Sequence, residues 1–451
     1  MSAQCFENME MLMSKYDKSS VESIYEFALK LTGKSLSEVV SLPEGVANQR
    51  NRGDLGSLVE KYYFEHQPPT NHGPDFPDAK LELKTTGVIR SKDGKYKAKE
   101  RLVLTMINYD LISREKWESS YFLNKCKLML ILFYLFAKDV PVFDRRFILS
   151  PLVYRMSPED QIIIRRDWDA IRQKVLEGKA HELSEGDTFY LGACRKGSGG
   201  ESEVLQKQPF SSELAKSRAF SFKQGYVNKI IDGHLEGEAS LGVSASLTFE
   251  DATELRFRPY MHLSVSEISS ILNFYKKGPS QKGFHRQLAN RILSAGDQTV
   301  TELEKAGIEL KTVRLKENGQ PRESMSLPGF KTMEIITEDW EESKFAEKIE
   351  RKFLFVIFKP DESGMERLFK VAYWNMPYQD RVEARRVWEE TKKRAAIDAK
   401  NLPGAKESHV AHVRPKARDG QDKELTPQGE MVVKKCFWLN SGYIAQIVES
   451  L

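Results

Sequence analysis

Asp75-Phe76-Pro77-Asp78-Ala79-Lys80-Leu81-Glu82-Leu83-Lys84-Thr85 decides the fold, because the pattern of its last five residues occurs twice. It returns 227 positions later as Ile308-Glu309-Leu310-Lys311-Thr312. Flanking pairs keep the same order. Gly53 and Leu58 match Gly283 and Leu288; Ser120, Phe122 and Lys125 match Ser343, Phe345 and Lys348. Trp168 matches Trp388, and Lys196 matches Lys416. Finally, Phe220-Ser221-Phe222 with Gly225-Tyr226 matches Phe437-Trp438-Leu439 with Gly442-Tyr443. The offset drifts one way, from 230 to 217, as small loop deletions in a duplicated domain would make it; chance matches would scatter. Two copies of one domain are expected, 1–232 and 240–451, joined by the polar run from Gly233 to Ser240.

Within the first copy, helical periodicity runs from Val21 to Leu31 behind a Ser19-Ser20 cap, and again from Leu55 to Phe64. Strands are predicted at Lys80 to Thr86, Leu102 to Ile107, Leu128 to Phe136 and Thr188 to Gly192. The unbroken apolar run of the third places it centrally in the sheet. A long amphipathic helix from Pro158 to Gly178 buries Trp168. Interleaved helices and strands make this an α/β protein with a mixed sheet flanked by helices.

At 451 residues the chain exceeds what one hydrophobic core fills. Its 40% hydrophobic and 30% charged content excludes disordered, collagenous and membrane classes. No apolar run approaches the roughly 20 residues that span a bilayer. Met1 to Lys15 carries Glu7 and Glu10 and lacks a basic-then-apolar leader pattern, so export is not expected. Cys5, Cys126, Cys194 and Cys436 form no CxxC pair, which argues against a zinc cluster and makes the reducing cytoplasm the expected location. A net charge of +4 is compatible with a nucleic-acid partner without demanding one.

The chemistry gathers at Asp75, Glu82 and Lys84. Two residues apart on a strand, Glu82 and Lys84 share a face while Leu81 and Leu83 turn to the core. Asp75 returns across the Pro77 turn, so both carboxylates can converge on one cation. Two carboxylates with waters and a phosphate oxygen is the usual way Mg²⁺ is held. A neighbouring lysine can orient the attacking water and offset developing charge. Glu60, on the helix after Arg52-Gly53-Asp54-Leu55-Gly56, supplies a third carboxylate. That set suits phosphodiester hydrolysis with Mg²⁺ as cofactor. A solvated strand face with an i,i+2 ion pair would show the same spacing; Glu60 and the recurrence of E-L-K-T in the collinear duplication weigh against it. Arg195 and Lys196, ahead of Gly197-Ser198-Gly199-Gly200, suit acceptor-rich guanine edges. Phe220 and Phe222 are expected in the core, and His409 and His412 at the surface; no histidine grouping of a nuclease is present.

Arg52-Gly53-x-x-Gly56-x-Leu58-x-Glu60, Asp75-Phe76 and Leu81-Glu82-Leu83-Lys84-Thr85 resemble MutH, the mismatch-repair nicking endonuclease. They are still more similar to the GATC-cutting type II restriction endonucleases related to MutH, which carry two such domains in one chain. The resemblance continues at Ser120 to Lys127, at Asp167-Trp168 and at Arg218 to Lys223. In the second copy it covers Gly307 to Thr312 and Val413-Arg414-Pro415-Lys416-Ala417. It implies a tandem duplication of the restriction-endonuclease PD-(D/E)xK fold. It also implies Asp75 and Glu82 as metal ligands and Lys84 as catalytic lysine, with Glu60 and Lys125 completing the site. Arg52, Arg195, Lys196, Ser221, Arg414 and Lys416 become the implied DNA contacts. Family members read bases from an R-P-K loop and an aromatic segment. The first copy reads Ala193-Cys194-Arg195-Lys196 there, without the proline, and Ser221 stands where MutH has tyrosine. The second copy keeps Arg414-Pro415-Lys416.

The implied activity is Mg²⁺-dependent, sequence-specific cleavage of double-stranded DNA at GATC, before the G. The enzyme would act as a monomer or a DNA-induced dimer, beside a cognate methyltransferase. The alternative is a MutH-like repair protein that nicks only when a partner activates it. Duplication favours restriction, because a self-contained enzyme must supply its own DNA engagement. The second copy is expected to bind DNA without cutting. Its counterpart of Asp75 is Glu302, one methylene longer, and its counterpart of Glu60 is Asn290, which carries no charge, although Glu309, Lys311 and Lys348 persist.

Overall fold

Residues 15–41, 54–66, 73–92, 94–195, 205–233, 248–274, 281, 283–293, 301–417 and 419–451 are described by a computed structural model of the chain. In chain order the strands are β1 (Glu82–Arg90), β2 (Tyr96–Ala98), β3 (Leu102–Met106), β4 (Leu128–Leu135), β5 (Leu152–Arg155), β6 (Leu191–Arg195), β7 (Leu205–Gln208), β8 (Ser211–Lys216) and β9 (Arg218–Phe222). They continue as β10 (Glu309–Arg314), β11 (Met325–Gly329), β12 (Phe353–Pro360), β13 (Glu366–Trp374), β14 (Ala411–Pro415), β15 (Lys423–Leu425), β16 (Met431–Val433) and β17 (Lys435–Leu439). Two compact units form: Met1–Asp169 with Ala219–Leu235, and Ala170–Arg218 with Glu236–Leu451.

The first unit is built on a mixed sheet of order β2-β1-β4-β5. β1 runs parallel to β4, with Glu82 beside Met129, and both outer strands run antiparallel to their neighbours. β4 is interior, which is why six consecutive residues, Met129 to Tyr134, are buried. Helix Val21–Leu29 begins where Ser20 accepts the Ser23 N–H at 3.3 Å. Tyr16 stacks on Phe27 at 4.5 Å, Phe27 on Tyr63 at 4.6 Å, and Phe64 meets Phe76 edge-on at 5.7 Å. This aromatic group shares one core with Leu81 and Leu83.

In the second unit β10-β12-β13 repeats that centre: β10 is parallel to β12, with Glu309 beside Phe353, and β13 is antiparallel. A second sheet, β11-β17-β14, is antiparallel throughout. The duplication extends to individual contacts. Trp168 lies edge-on to Trp117 at 5.8 Å, and Trp388 to Trp340 at 5.5 Å. Ser120 caps helix Tyr121–Cys126 as Ser343 caps Lys344–Ile349. Tyr226 donates to Asp160 at 3.0 Å, and Tyr443 to Asp380 at 2.7 Å. These are tandem restriction-endonuclease-like folds.

Two elements differ from the sequence expectation. The helix predicted over Leu55 to Phe64 is α-helical only over Asp54–Leu58 and continues as a π-helical turn, Val59–Tyr63. The strand predicted over Thr188 to Gly192 forms later, at Leu191–Arg195. A tight turn, Glu185–Asp187, precedes it, held where the Ser184 N–H donates to the Asp187 carboxylate at 2.7 Å. Phe220 and Phe222 lie in the core, as expected. No helix among the described residues is long and apolar enough to cross a membrane.

Candidate active site

Asp75 reaches Glu82 because the chain doubles back between them. Phe76 and Leu81 bridge as a two-residue ladder around Pro77 to Lys80, and Lys80 adopts a positive φ of 50° to close the turn. The Asp75 N–H then donates to Glu82 Oε2 at 3.1 Å, and the Leu83 N–H donates to Asp75 Oδ2 at 2.9 Å. Strand alternation puts Lys84 on the Glu82 face, where its Nζ pairs with Glu82 Oε1. Lys125 lies 3.4 Å from the same oxygen. It arrives there because its helix, Tyr121–Cys126, ends immediately before β4, the parallel neighbour of β1.

Glu60 comes from the π-helical turn. A Cβ on Gly56 would lie 3.1 Å from Thr85 Oγ1, so glycine lets this helix sit close against β1. The wide turn that follows re-aims the side chains after Leu58. Glu60 faces Asp75, Lys84 and Lys125 electrostatically. The five residues expected at the active site therefore share one neighbourhood.

Glu82 is fully buried and Asp75 is 5% exposed, so this is a polar centre enclosed by core and not a solvated strand face. Burial pushes Glu82 up to about 7, with Asp75 adding to the rise and Lys84 and Lys125 opposing it. Glu60 is likewise pushed up to about 7, by burial first and then by Asp75. Burial works against the charge on Lys84, yet Glu82 outweighs it and holds the ammonium above its usual range. Lys125 is raised for the same reason. Formally, three carboxylates face two ammonium groups, one negative charge in excess. All donors are hard oxygens, and such a set fits a divalent cation of the Mg²⁺ type, which uses one or two carboxylates and keeps its waters. Among the described residues no group of three acidic, histidine or cysteine side chains is placed to hold a metal ion.

The family model described as "DNA mismatch repair enzyme MutH" matches residues 64–167 and 292–384, one stretch in each copy. The type II restriction enzyme Sau3AI of Staphylococcus aureus is 31% identical over 95% of this chain and 98% of its own length. The chain belongs to the MutH-like restriction endonuclease family. The DNA mismatch repair protein MutH of Serratia proteamaculans is 25% identical over 47% of the chain and 92% of its own length. That of Shewanella woodyi is 26% identical over 41% of the chain and 77% of its own. The single-domain MutH proteins thus match about half of this chain, as a duplicated member of the family requires.

The remaining positions singled out by the family resemblance fall in three groups. Arg52 and Lys196 lie outside the described residues. Arg195 and Ser221 are not presented as expected. Arg195 is only partly exposed and pairs with Glu341, with Glu350 Oε1 3.5 Å away. Ser221 is fully buried on β9, where every residue is buried, so it presents no surface to DNA. Arg414 and Lys416, in contrast, are exposed at the end of β14. His412 is also a correction: it is 4% exposed, not on the surface, with its Nδ1 bonded to Asn440 Oδ1. His409 is exposed, as expected.

In the second copy Glu309 pairs with Lys311 at 2.8 Å and with Lys348. Burial raises its carboxyl, but the two lysines prevail and hold it below the usual range. The side chain of Glu302 lies outside the described set, and Asn290 contributes no charge. Glu309 is thus met by two ammonium groups, as Glu82 is in the first copy. Sequence reading missed Trp438, whose ring lies beneath Arg414, and the Glu341 and Glu350 partners of Arg195. Trp438 carried a signal: it aligns with Ser221, a small polar residue.

Proposed function

We propose that the first copy, residues 1–232, is a Mg²⁺-dependent endonuclease that cuts double-stranded DNA at GATC. The second, 240–451, binds DNA without cutting it. The observation that carries this reading is buried Glu82, bonded to the Asp75 backbone and to Lys84 and Lys125, with Glu60 beside it. Asp75 and Glu82 would hold the metal, which supplies charge neutralisation and a nucleophilic water at neutral pH. Lys84, held protonated by Glu82, orients water and stabilises negative charge growing on the phosphate. It does not act as a base in that state. Lys125 shares the second task, and Glu60 adds the negative charge that draws the cation in.

The uncharged Asn290 in the place of Glu60 supports a non-cutting second copy, since it removes a carboxylate that would draw a cation in. Exposed Arg414 and Lys416 support its binding to DNA. We assign it to restriction in the cytoplasm, as a monomer or DNA-induced dimer beside a cognate methyltransferase. The near full-length similarity to a type II restriction enzyme favours this over partner-activated nicking. The test is to incubate the purified chain alone with unmethylated plasmid and MgCl₂ and to sequence the ends. Double-strand fragments with four-base 5′-GATC overhangs are expected. Ends without a common GATC would contradict the site, and nicks formed only with added repair proteins would contradict restriction.

A further inference from the structure

The second copy carries a cation–aromatic platform that the first copy lacks. β14 and β17 pair antiparallel with His412 opposite Trp438 and Arg414 opposite Cys436. Arg414 and Trp438 are thus diagonal neighbours on one face of the sheet. The Arg414 guanidinium carbon lies 3.8 Å from the Trp438 ring centroid, face contact distance. Lys416 Nζ lies 5.8 Å from the same centroid and donates to Ser326 Oγ at 2.8 Å. Ser326 is the β11 partner of Trp438 on its other side, so Lys416 reaches across the ring. One indole therefore organises two cations. Among the described residues no carboxylate pairs with either, although Arg195 of the first copy is bound to Glu341.

Both members of the pair change together between the copies. With Lys196 aligned to Lys416, Cys194 takes the place of Arg414, and Ser221 takes that of Trp438. Cys194 and Ser221 are both buried, at 2% and 0% exposure. A buried packing position in one copy has become an exposed guanidinium on an aromatic base in the other.

We infer that Trp438 is a positioning residue that holds Arg414 for guanine reading by the second copy; the inference rests on the DNA-binding role proposed for that copy. Stacking engages the flat face of the guanidinium and leaves its in-plane N–H fork directed to solvent. Guanine O6 and N7 accept such a fork in the major groove, and only when the fork is correctly turned. An arginine already stacked has less rotamer freedom to lose on binding. Lys416, tethered to Ser326 over the same ring, is placed for an adjacent acceptor or phosphate.

The test uses the full-length chain cutting a one-site substrate, activated by a separate short duplex that carries GATC. The readout is the duplex concentration for half-maximal activation, with ordinary guanine and with 7-deazaguanine, which lacks the N7 acceptor. The parent chain should need about tenfold more of the 7-deaza duplex, the loss of one good base contact. Arg414→Ala should need about tenfold more of the ordinary duplex and show no 7-deaza penalty. Trp438→Ala and Trp438→Leu should do the same, the latter filling the space without a π face, while Trp438→Phe keeps the penalty. If Arg414→Ala loses the penalty but Trp438→Leu keeps it, the positioning role is wrong and the DNA-binding role stands. If Arg414→Ala weakens activation but keeps the penalty, Arg414 contacts phosphate and the guanine assignment fails. If the parent is not activated by any GATC duplex, the underlying reading of the second copy fails.

Discussion

A buried carboxylate that faces a second carboxylate works against the fold unless something compensates it. Glu60 has an ordinary value of 4.5 and is pushed up to about 7 by burial and by Asp75. Between these values the unfolded chain has released the proton that the folded chain still holds. Folded protein then binds more protons, so stability falls as pH rises through this window. Glu60→Gln should therefore leave stability unchanged near pH 4 and raise it by about 1 to 2 kcal/mol above pH 7 in metal-free buffer. Thermal melts of both proteins at pH 5 and pH 8 measure this; an equal gain at both would show that the destabilisation is not electrostatic. In the proposed Mg²⁺-loaded enzyme the cation would take over that compensation. Cleavage of Glu60→Gln should fall, and half-saturation should need more Mg²⁺. The site residues themselves were legible in sequence, since a strand's period of two and the Pro77 turn bring Asp75, Glu82 and Lys84 together. The burial of Ser221 and of His412 was not, because each depends on what packs over its strand.

At the scale of elements, the helix carrying Glu60 is placed by what Gly56 lacks. A methyl at Gly56 would meet Thr85 Oγ1 at 3.1 Å, so the helix must shift by a few tenths of an ångström to accept it. Gly56→Ala should lower the cleavage rate about tenfold, as small misplacement of a catalytic group does, with little change in melting temperature. Thr85→Ala should restore most of that rate in the double variant by reopening the space; failure to do so would show that Gly56 acts otherwise. Helices and strands at the centre of the first copy were readable from periodicity and caps. The π-helical turn at Val59–Tyr63 was not, because nothing in local spacing distinguishes it from an α-turn; the packing of Tyr63 and Phe64 against Phe27 and Phe76 accompanies it. The late start of β6 follows from the Ser184–Asp187 capping turn, a local device that outweighs strand propensity over Thr188 to Tyr190.

For the molecule as a whole, the proposed reading has duplication followed by divergence divide the labour. The first copy keeps Glu60 where the second has Asn290, and the second keeps an exposed Arg414-Lys416 pair. A substrate with two GATC sites should be cut faster than one with a single site. Arg414→Ala combined with Lys416→Ala should remove the advantage; equal rates on both substrates for the parent chain would argue against a recognition role. The collinear repeat made this architecture visible in sequence. The pairing of Arg195 with Glu341 and Glu350 was not visible, since those residues are remote in the chain and have no signature of their own. The most direct test of the central claim is cleavage of unmethylated plasmid by Asp75→Ala in MgCl₂, with binding to a GATC duplex measured in parallel. Retained binding with no double-strand fragments is expected, because the change removes a metal ligand and leaves the DNA-contacting cations in place. Cutting at near the parent rate would contradict the assignment of the active site to the first copy.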